Sequence, residues 1–107
     1  MPWPEPPADE TIVLRLFVTG TTPRSQRAIT NIRAFCDRRL AGRCDLEVID
    51  VYLDPDATRE YQIVATPTLV KLAPEPRRRI VGDLSDEPRI MAFLDMAATG
   101  GLSEARP

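Results

Sequence analysis

The stretch Val64-Ala65-Thr66-Pro67-Thr68-Leu69-Val70 decides how the rest of the chain is interpreted. Proline has no amide hydrogen to donate to a β-ladder, so Pro67 belongs at the first residue of a strand or on a sheet edge. The β-branched and aliphatic residues that follow it are typical of a strand. An X-Pro bond also tolerates the cis form, which costs only ~0.5–1 kcal/mol relative to trans. The stretch therefore predicts a strand that is entered through a proline, in either isomer.

A strand and a helix precede this stretch. The near-continuous apolar run Ile12 to Val18 predicts a buried strand of a partly parallel sheet. Thr22 is a good N-cap and Pro23 suits the first helical position, so a helix should begin there. A strand, a helix and later a Thr-Pro entering a strand are typical of the thioredoxin-like fold. In that fold the proline loop faces the start of the first helix, where redox enzymes carry two cysteines; this helix start, Thr21 to Ser25, contains none.

The apolar periodicity of the first helix and the next turn signals extend the pattern. The core stripe of the helix is predicted to comprise Ala28, Ile29, Ile32, Phe35, Cys36 and Leu40, with Gly42 as the C-terminal cap. The run from Leu46 to Tyr52 predicts the second strand. Asp54-Pro55 repeats the signal of a cap followed by proline, and it predicts a short helix through about Tyr61.

The remaining elements follow the Pro67 strand, which is expected to run to about Ala73. Pro74-Glu75-Pro76 should break it, and residues Arg77 to Val81 predict an edge strand. Ser85 is expected to cap a final helix whose apolar side carries Ile90, Met91, Phe93, Leu94 and Ala97. The predicted order is βαβαββα, a thioredoxin-like α/β domain with a mixed sheet.

Chain length and composition indicate one folded domain. The ten N-terminal residues include four prolines and several acids, so residues 1–10 are expected to form a disordered leader. Residues 11–99 should form the domain, and residues 100–107 a flexible tail. No apolar run approaches the ~20 residues that span a bilayer, and no signal peptide is evident, which predicts a cytoplasmic protein with no membrane partner.

Several classes of function are disfavoured by composition. A formal net charge of −2 gives no electrostatic footprint for nucleic acid. The chain has no histidine, which removes the side chain best suited to acid-base catalysis near neutral pH and the commonest metal ligand. The carboxylates Asp50, Asp54 and Asp56 follow the second strand, but Asp54 is better explained as a cap. We find no phosphate-binding loop, nucleophile elbow or dinucleotide fingerprint, and we predict no metal, no cofactor and no enzymatic activity.

Cys36 and Cys44 are the only cysteines, with seven residues between them. That spacing is neither a redox CxxC nor a zinc motif, and two thiols cannot complete a structural zinc site. Cys36 lies on the predicted core stripe, where a thiol behaves as a small apolar group. Cys44 is expected to be partly exposed, and a disulfide between the two is disfavoured in a reducing cytoplasm.

Four runs of sequence closely resemble the KaiB family of circadian-clock proteins, and together the resemblance covers residues 12 to 98. They are LFVTGTTP at 16–23, VIDV at 48–51, ATPTL at 65–69 and RRIVGDLSD at 78–86. The resemblance implies a non-enzymatic regulator that binds the N-terminal ring of KaiC, a double-ringed ATPase and autokinase. It also implies capture of KaiA where that protein exists, and self-association to a dimer or tetramer.

The same resemblance implies a metamorphic protein with two folds. One is a tetramer-forming ground state, βαββααβ, and the other is the thioredoxin-like binding state, βαβαββα. Phe93, next to Leu94-Asp95, replaces a glycine that is common in the family, and glycine disfavours a helix by up to ~1 kcal/mol. Pro67, Phe93 and Asp95 are therefore the candidate fold-determining residues. We expect the thioredoxin-like form to be the resting state, with the ground-state fold as the alternative.

Candidate partner-binding residues come from the same alignment of motifs. Arg27 and Arg79 match arginine positions of the family, and Arg78 and Gln62 complete the set of candidate partner-binding residues. Gln62 stands where a lysine is common, Ile12 where a tyrosine is common and Thr21 where an asparagine is common. These departures predict a divergent member of the family. We expect it to come from an organism whose system is a timer or stress regulator instead of a full oscillator.

Two further interpretations remain open. The arginines at 77–79 either shield an edge strand from pairing with another chain or hold an acidic partner. The chain could also be a thioredoxin-like adaptor that acts in trans on a sensor histidine kinase, since related domains occur fused to such kinases. A thiol oxidoreductase is the weakest alternative, because the helix start carries no cysteine.

Overall fold

The computed structural model describes residues 11–40 and 42–94. Several predictions concern residues outside the described ranges, namely the leader at 1–10, the tail at 100–107, Ala97 and Asp95. The elements are β1 (Ile12–Val18), α1 (Pro23–Phe35), a π-helical turn (Cys36–Leu40), β2 (Cys44–Asp50), α2 (Pro55–Glu60), β3 (Thr68–Ala73), β4 (Arg78–Val81) and α3 (Glu87–Phe93). This βαβαββα order is the thioredoxin-like arrangement predicted from the sequence. No helix within these residues is long and apolar enough to cross a membrane.

The four strands form one mixed sheet in the order β2-β1-β3-β4. β1 and β2 are parallel, whereas β1 pairs with β3 and β3 with β4 in antiparallel fashion. Leu16, in the middle of β1, lies opposite Val48 on one side and Leu69 on the other. The hydrophobic centre of the domain therefore lies along the two inner strands.

The sheet separates two apolar clusters because side chains alternate along a strand. The larger cluster lies between the sheet and the helices α1 and α3, and it is formed by Leu14, Leu16, Val18, Ala28, Ile32, Phe35, Cys36, Leu40, Leu69, Ile80, Leu84, Ile90, Met91, Phe93 and Leu94. The smaller cluster lies on the side of α2, where Phe17, Ile49 and Val70 pack with Tyr61. The rings of Phe17 and Tyr61 are 5.6 Å apart between centroids. Both faces of the sheet are thus covered, as a partly parallel sheet requires.

All three α-helices begin with a polar cap and a proline in the first turn. The side chains of Thr22, Asp54 and Asp86 accept hydrogen bonds from the backbone amides of Ser25, Ala57 and Arg89, at 3.3, 3.1 and 3.3 Å. The predicted caps of α1 and α2 are confirmed. The prediction that Ser85 caps α3 was wrong, because the Ser85 amide donates to Asp83 Oδ1 at 3.1 Å in the preceding turn and Asp86 takes the capping position.

The prediction that β2 runs from Leu46 to Tyr52 was two residues late. β2 begins at Cys44, which lies opposite Ile12 at the start of β1, so the parallel partner fixes the boundary. After Asp50 the chain turns, because the Asp50 carboxylate accepts the amide of Tyr52 at 2.8 Å and the Asp50 carbonyl accepts the amide of Leu53 at 3.0 Å.

The last two strands are also slightly shorter than predicted. Pro67 precedes β3, which begins at Thr68, and the edge strand β4 begins at Arg78 instead of Arg77. The Pro67 carbonyl still accepts the amide of Gly82 at 3.0 Å, so it extends the pairing of β3 with β4 by one hydrogen bond.

Lys71 is the one lysine of the sequence, and its side chain is only 2% exposed. It shares the α1 and α3 face with Leu69, and in register it lies opposite Leu14 on β1 and Arg78 on β4. The apolar pattern of β3 did not predict this burial, since a lysine in a strand is usually solvated.

Candidate partner-binding surface

The start of α1 faces the Pro67 loop, as the sequence predicted. The Thr66–Pro67 peptide is cis, and the hydroxyl groups of Thr19 and Thr66 are hydrogen-bonded to each other. Ser25, fully buried in the first turn of α1, accepts the backbone amide of Thr19 at 3.1 Å through its Oγ. We call these four residues, Thr19, Ser25, Thr66 and Pro67, the Pro67 end of the sheet. Hydroxyl groups occupy the place of a redox site, so thiol–disulfide chemistry cannot start there.

Three apolar side chains at this end of the sheet are strongly exposed. Tyr52 is 75% exposed, Leu53 83% and Val64 95%. Tyr52 and Leu53 follow β2 where it ends beside β1, and Val64 lies two residues before Thr66, which contacts the end of β1. Exposed apolar side chains grouped in this way are typical of a surface that binds another protein.

These three exposed apolar residues were not among the site residues predicted from the sequence. A signal was present in the turn at 51–53, because a polar turn is expected between a strand and a capped helix, and Tyr52-Leu53 supplies two large apolar residues instead.

Arg79 holds the loop between α2 and β3. Its guanidinium donates from Nη1 to the carbonyl of Gln62 at 3.0 Å and from Nη2 to the carbonyl of Tyr61 at 2.6 Å. Gln62 has a φ of 55°, in the left-handed region that side chains other than glycine rarely adopt. A groove of about 330 Å³ lies between this loop and the edge strand β4. Arg79 therefore braces this strained loop from the edge strand.

Arg78 points to the opposite side of the sheet. Its Nη1 donates to the carbonyl of Ala92 on α3 at 3.3 Å, whereas Arg79 reaches the α2 side. Neighbouring residues of a strand face opposite sides, and the hydrogen bonds of the two guanidinium groups follow this rule. Of the predicted site residues, Arg79 is bonded to Gln62 and Arg78 to α3, while all three line the groove beside Tyr61.

Arg27 lies on the exposed side of α1, next to the turn between β4 and α3. Its Nε is 3.5 Å from Oδ2 of Asp83. Hydrogen bonds from Ser85 lower the pKa of the Asp83 carboxyl group, and the Arg27 guanidinium adds to that effect. Asn31 donates to the Asp83 carbonyl at 2.8 Å. Arg27 thus helps to position the turn, and most of its side chain remains exposed to solvent.

The candidate fold-determining residues have different environments. Pro67 is buried at the entry to β3, and Phe93 is buried in the larger apolar cluster. The prediction for Asp95 concerns a residue that the structure does not describe. Within the described part of the chain, no three His, Cys, Asp or Glu side chains form a group that could hold a metal ion.

Comparison with known sequences identifies a family. The sequence model of the KaiB domain matches residues 15–96. The circadian clock oscillator protein KaiB of Prochlorococcus marinus is 46% identical over 87 residues, which are 81% of this chain and 74% of that protein. The circadian clock protein KaiB3 of a Synechocystis species is 43% identical over 89 residues, which are 83% of this chain and 87% of that protein.

Comparison with solved structures gives the same fold. The N-terminal domain of Synechococcus elongatus SasA is 28% identical with a TM-score of 0.67, and the match covers 96% of both chains. The germline-specific thioredoxin Deadhead of Drosophila melanogaster is 19% identical with a TM-score of 0.65 over 82% of both chains. At that identity the thioredoxin supports the fold alone.

Proposed function

This chain belongs to the KaiB family, and on that premise we propose that it is a non-enzymatic regulator of a circadian-clock-type or stress-timing system. Its partner in this proposal is the N-terminal ring of a KaiC-type ATPase. The observation that supports binding over catalysis is the Pro67 end, where hydrogen-bonded hydroxyl groups replace thiols and three large apolar side chains are strongly exposed.

The exposed apolar set is the proposed centre of the interface. A standard protein interface buries about 800 Å² on each partner, and its energy is concentrated in a few aromatic, apolar and arginine side chains. Tyr52 supplies an aromatic anchor, and Leu53 and Val64 supply apolar area that is removed from water on binding.

The arginines and Gln62 have separate roles in this proposal. Arg79 acts by shaping the loop at Tyr61 and Gln62, since its Nη1 and Nη2 each donate to a carbonyl of that loop. Arg27, whose guanidinium is largely exposed, acts as a direct charged contact. Arg78, on the α3 side, belongs to a second contact area.

Further partners are part of the same proposal. Family membership supports capture of KaiA, where it exists, and self-association to a dimer or tetramer. We propose no nucleic-acid or membrane partner, and a cytoplasmic location.

The test is co-purification of the full-length protein with candidate KaiC-type ATPases in the presence of ATP. Tyr52→Ser and Arg27→Ala should each weaken binding at least about fivefold, which is ~1 kcal/mol. Arg33→Ala, an exposed arginine of the same helix as Arg27, is the matched control and should bind like the wild type. Failure of the wild type to bind any such ATPase would overturn the proposal.

Arg79 is tested with two variants. Arg79→Lys keeps the positive charge but loses the forked donation to two carbonyls, so it should weaken binding as much as Arg79→Ala if the residue shapes the loop. Binding that is retained in Arg79→Lys and lost in Arg79→Ala would instead indicate a direct charged contact.

A second candidate function is that of an adaptor for a sensor histidine kinase. The match to the SasA N-terminal domain along nearly the whole chain favours it, because there a fold of this kind is one domain of a larger protein. Co-purification with sensor kinases, without the ATPase, separates the two candidates. A third, thiol oxidoreductase activity, is excluded if insulin reduction with dithiothreitol stays at background.

A further inference from the structure

The two cysteines meet at the end of the sheet opposite the Pro67 end. Cys36 is the first residue of the π-helical turn after α1, and Cys44 is the first residue of β2. Their Sγ atoms are 2.8 Å apart, and both thiols are free. An S–S bond measures about 2.05 Å, so a shift of less than about 1 Å would bring the sulfurs to bonding distance.

The connection between the two cysteines is held in place by backbone hydrogen bonds. The Arg43 amide donates to the carbonyl of Leu40 at 2.7 Å, and the Arg43 carbonyl accepts the amide of Ile12 at 2.8 Å. The sulfur atoms are therefore close because the turn and the parallel strands fix both ends of a short segment.

The two thiols differ in exposure and in acidity. Cys36 is 8% exposed, whereas Cys44 is half-buried and reachable from solvent. The hydrogen bond from the Cys36 thiol lowers the pKa of Cys44, and the pairing with Cys44, together with burial, raises the pKa of Cys36. Cys36 also lies at the C-terminal end of α1, where the helix dipole disfavours a negative charge. Cys44 is thus the more acidic thiol of the pair, and Cys36 is the one that holds its proton more tightly.

We propose that Cys36 and Cys44 are a modification site at which hydrogen peroxide produces a reversible intramolecular disulfide. The Cys44 thiolate attacks peroxide, so an S–O bond forms, the O–O bond breaks, and the leaving hydroxide takes a proton to become water. The Cys36 sulfur then attacks the sulfenic acid on Cys44, so the S–S bond forms, the S–O bond breaks, and the second water leaves with the Cys36 proton. Two thiols and one peroxide give one disulfide and two waters; the sulfurs lose two electrons and the peroxide gains them.

The disulfide would join the π-helical turn after α1 to the edge strand β2 without involving the Pro67 end. Cys44 lies opposite Ile12 at the start of β1, whereas Thr19, beyond the end of β1, contacts Thr66. The bond should therefore raise the melting temperature, by on the order of 5–10 °C, because it restricts the unfolded chain. This inference does not depend on the proposed partner.

The experiment exposes the reduced full-length protein to hydrogen peroxide and measures its intact mass. We expect a loss of about 2 Da, for two hydrogens, with no thiol left to alkylate, and recovery of both thiols with dithiothreitol. Trypsin cuts at the three arginines between the cysteines, so fragments 34–38 and 44–59 should appear as one linked species until they are reduced.

Two single variants are the controls, and circular dichroism establishes that each is folded. In Cys44→Ser the buried Cys36 should stay reduced, and in Cys36→Ser the exposed Cys44 should gain oxygen or link two chains. The proposal is overturned if the wild type keeps both thiols after peroxide treatment, or if it yields only intermolecular dimers or sulfinic acid without the linked fragments.

Discussion

At one end of the sheet the first turn of α1 meets the Pro67 loop through hydroxyl groups, and at the other end the π-helical turn that follows α1 meets β2 through two thiols. Ser25 and Cys36 are both small, buried side chains of one helical segment. Ser25 lies at the positive end of the helix dipole and Cys36 at the negative end.

The difference between the two ends places the thiols of this fold far from the proposed binding surface. A thiol at the helix N-terminus becomes a reactive thiolate because the dipole lowers its pKa. Here the Ser25 hydroxyl at that place holds the backbone amide of Thr19, whose own hydroxyl group is hydrogen-bonded to that of Thr66. The thiol of Cys36 lies at the other end of α1, where the dipole opposes its ionisation. The Pro67 end is therefore held together by hydrogen bonds between hydroxyl and backbone groups, which suits the proposed docking surface.

The largest expected effect concerns α3, because the two ends of the sheet differ in this way only if the protein has the thioredoxin-like arrangement in solution. Phe93→Gly should destabilise the free protein by about 3–5 kcal/mol for lost packing and up to ~1 kcal/mol for helix propensity. The wild type should show helical backbone chemical shifts over residues 87–93. Ala92→Gly, at an exposed position of the same helix, is the control and should cost only ~1 kcal/mol.

Strand-like shifts over residues 87–93 in the dominant wild-type species would contradict this prediction. They would indicate that the alternative arrangement, βαββααβ, is the resting state, and that the thioredoxin-like arrangement is adopted only on binding.

The next effect tests the hydrogen bonds at the Pro67 end. Ser25→Ala removes the acceptor of the Thr19 amide and should lower the free energy of unfolding by about 1–3 kcal/mol, the cost of an unsatisfied, partly buried donor. Urea unfolding measures it, with Thr30→Ala on the exposed side of α1 as the control. A loss below about 0.5 kcal/mol would indicate that water replaces the hydroxyl group and that this end is less closed than described.

A smaller effect tests the end of the sheet that carries Cys36 and Cys44, under reducing conditions. Cys36→Ala should cost ~1–2 kcal/mol through lost packing in the larger apolar cluster, whereas Cys44→Ser, at a half-buried position, should be near neutral. Binding to the partner should persist in both variants. If either variant keeps its fold but loses binding to the partner, the two ends of the sheet are coupled, which would contradict this prediction.

The smallest effect is a pH dependence in the π-helical turn. Arg39 and Arg38 contact Glu87 of α3 at 2.9 and 3.2 Å, and they lower the pKa of the Glu87 carboxyl group below 4.5. The stabilisation is present above the unfolded pKa and is lost as the pH falls through the lower folded pKa. The difference in melting temperature between the wild type and Glu87→Gln should therefore shrink between about pH 5 and pH 3. A difference that stays constant would show that the ion pairs do not contribute.

Elements whose signals are local could be predicted from the sequence. Thr22 and Asp54 act as caps because their own side chains reach the next turn, and the apolar stripe of α1 follows from helical periodicity. The start of β2 could not be predicted, because it depends on where Cys44 meets Ile12 on another strand. Ser85 and Asp86 compete for one cap, and the turn at Asp83 decides between them.

The candidate surface was predicted less well than the fold. Strand alternation alone separates Arg78 from Arg79, but the carbonyls that Arg79 contacts depend on the left-handed backbone of Gln62, which no local motif indicates. The approach of Cys36 to Cys44 depends on a π-helical turn, whereas the spacing of apolar residues predicts an ordinary α-helical repeat through Leu40.

The burial of Lys71 has a consequence for how complexes of this protein can be mapped. Reagents that join proteins through lysine need an accessible ε-amino group, and the one lysine of this chain lies beneath α1 and α3 with 2% of its surface exposed. Such reagents should leave the folded domain unlabelled at that position, whatever partner is bound. Carbodiimide coupling through its carboxylates, or tyrosine-directed labelling at Tyr52, would report contacts that lysine chemistry cannot detect.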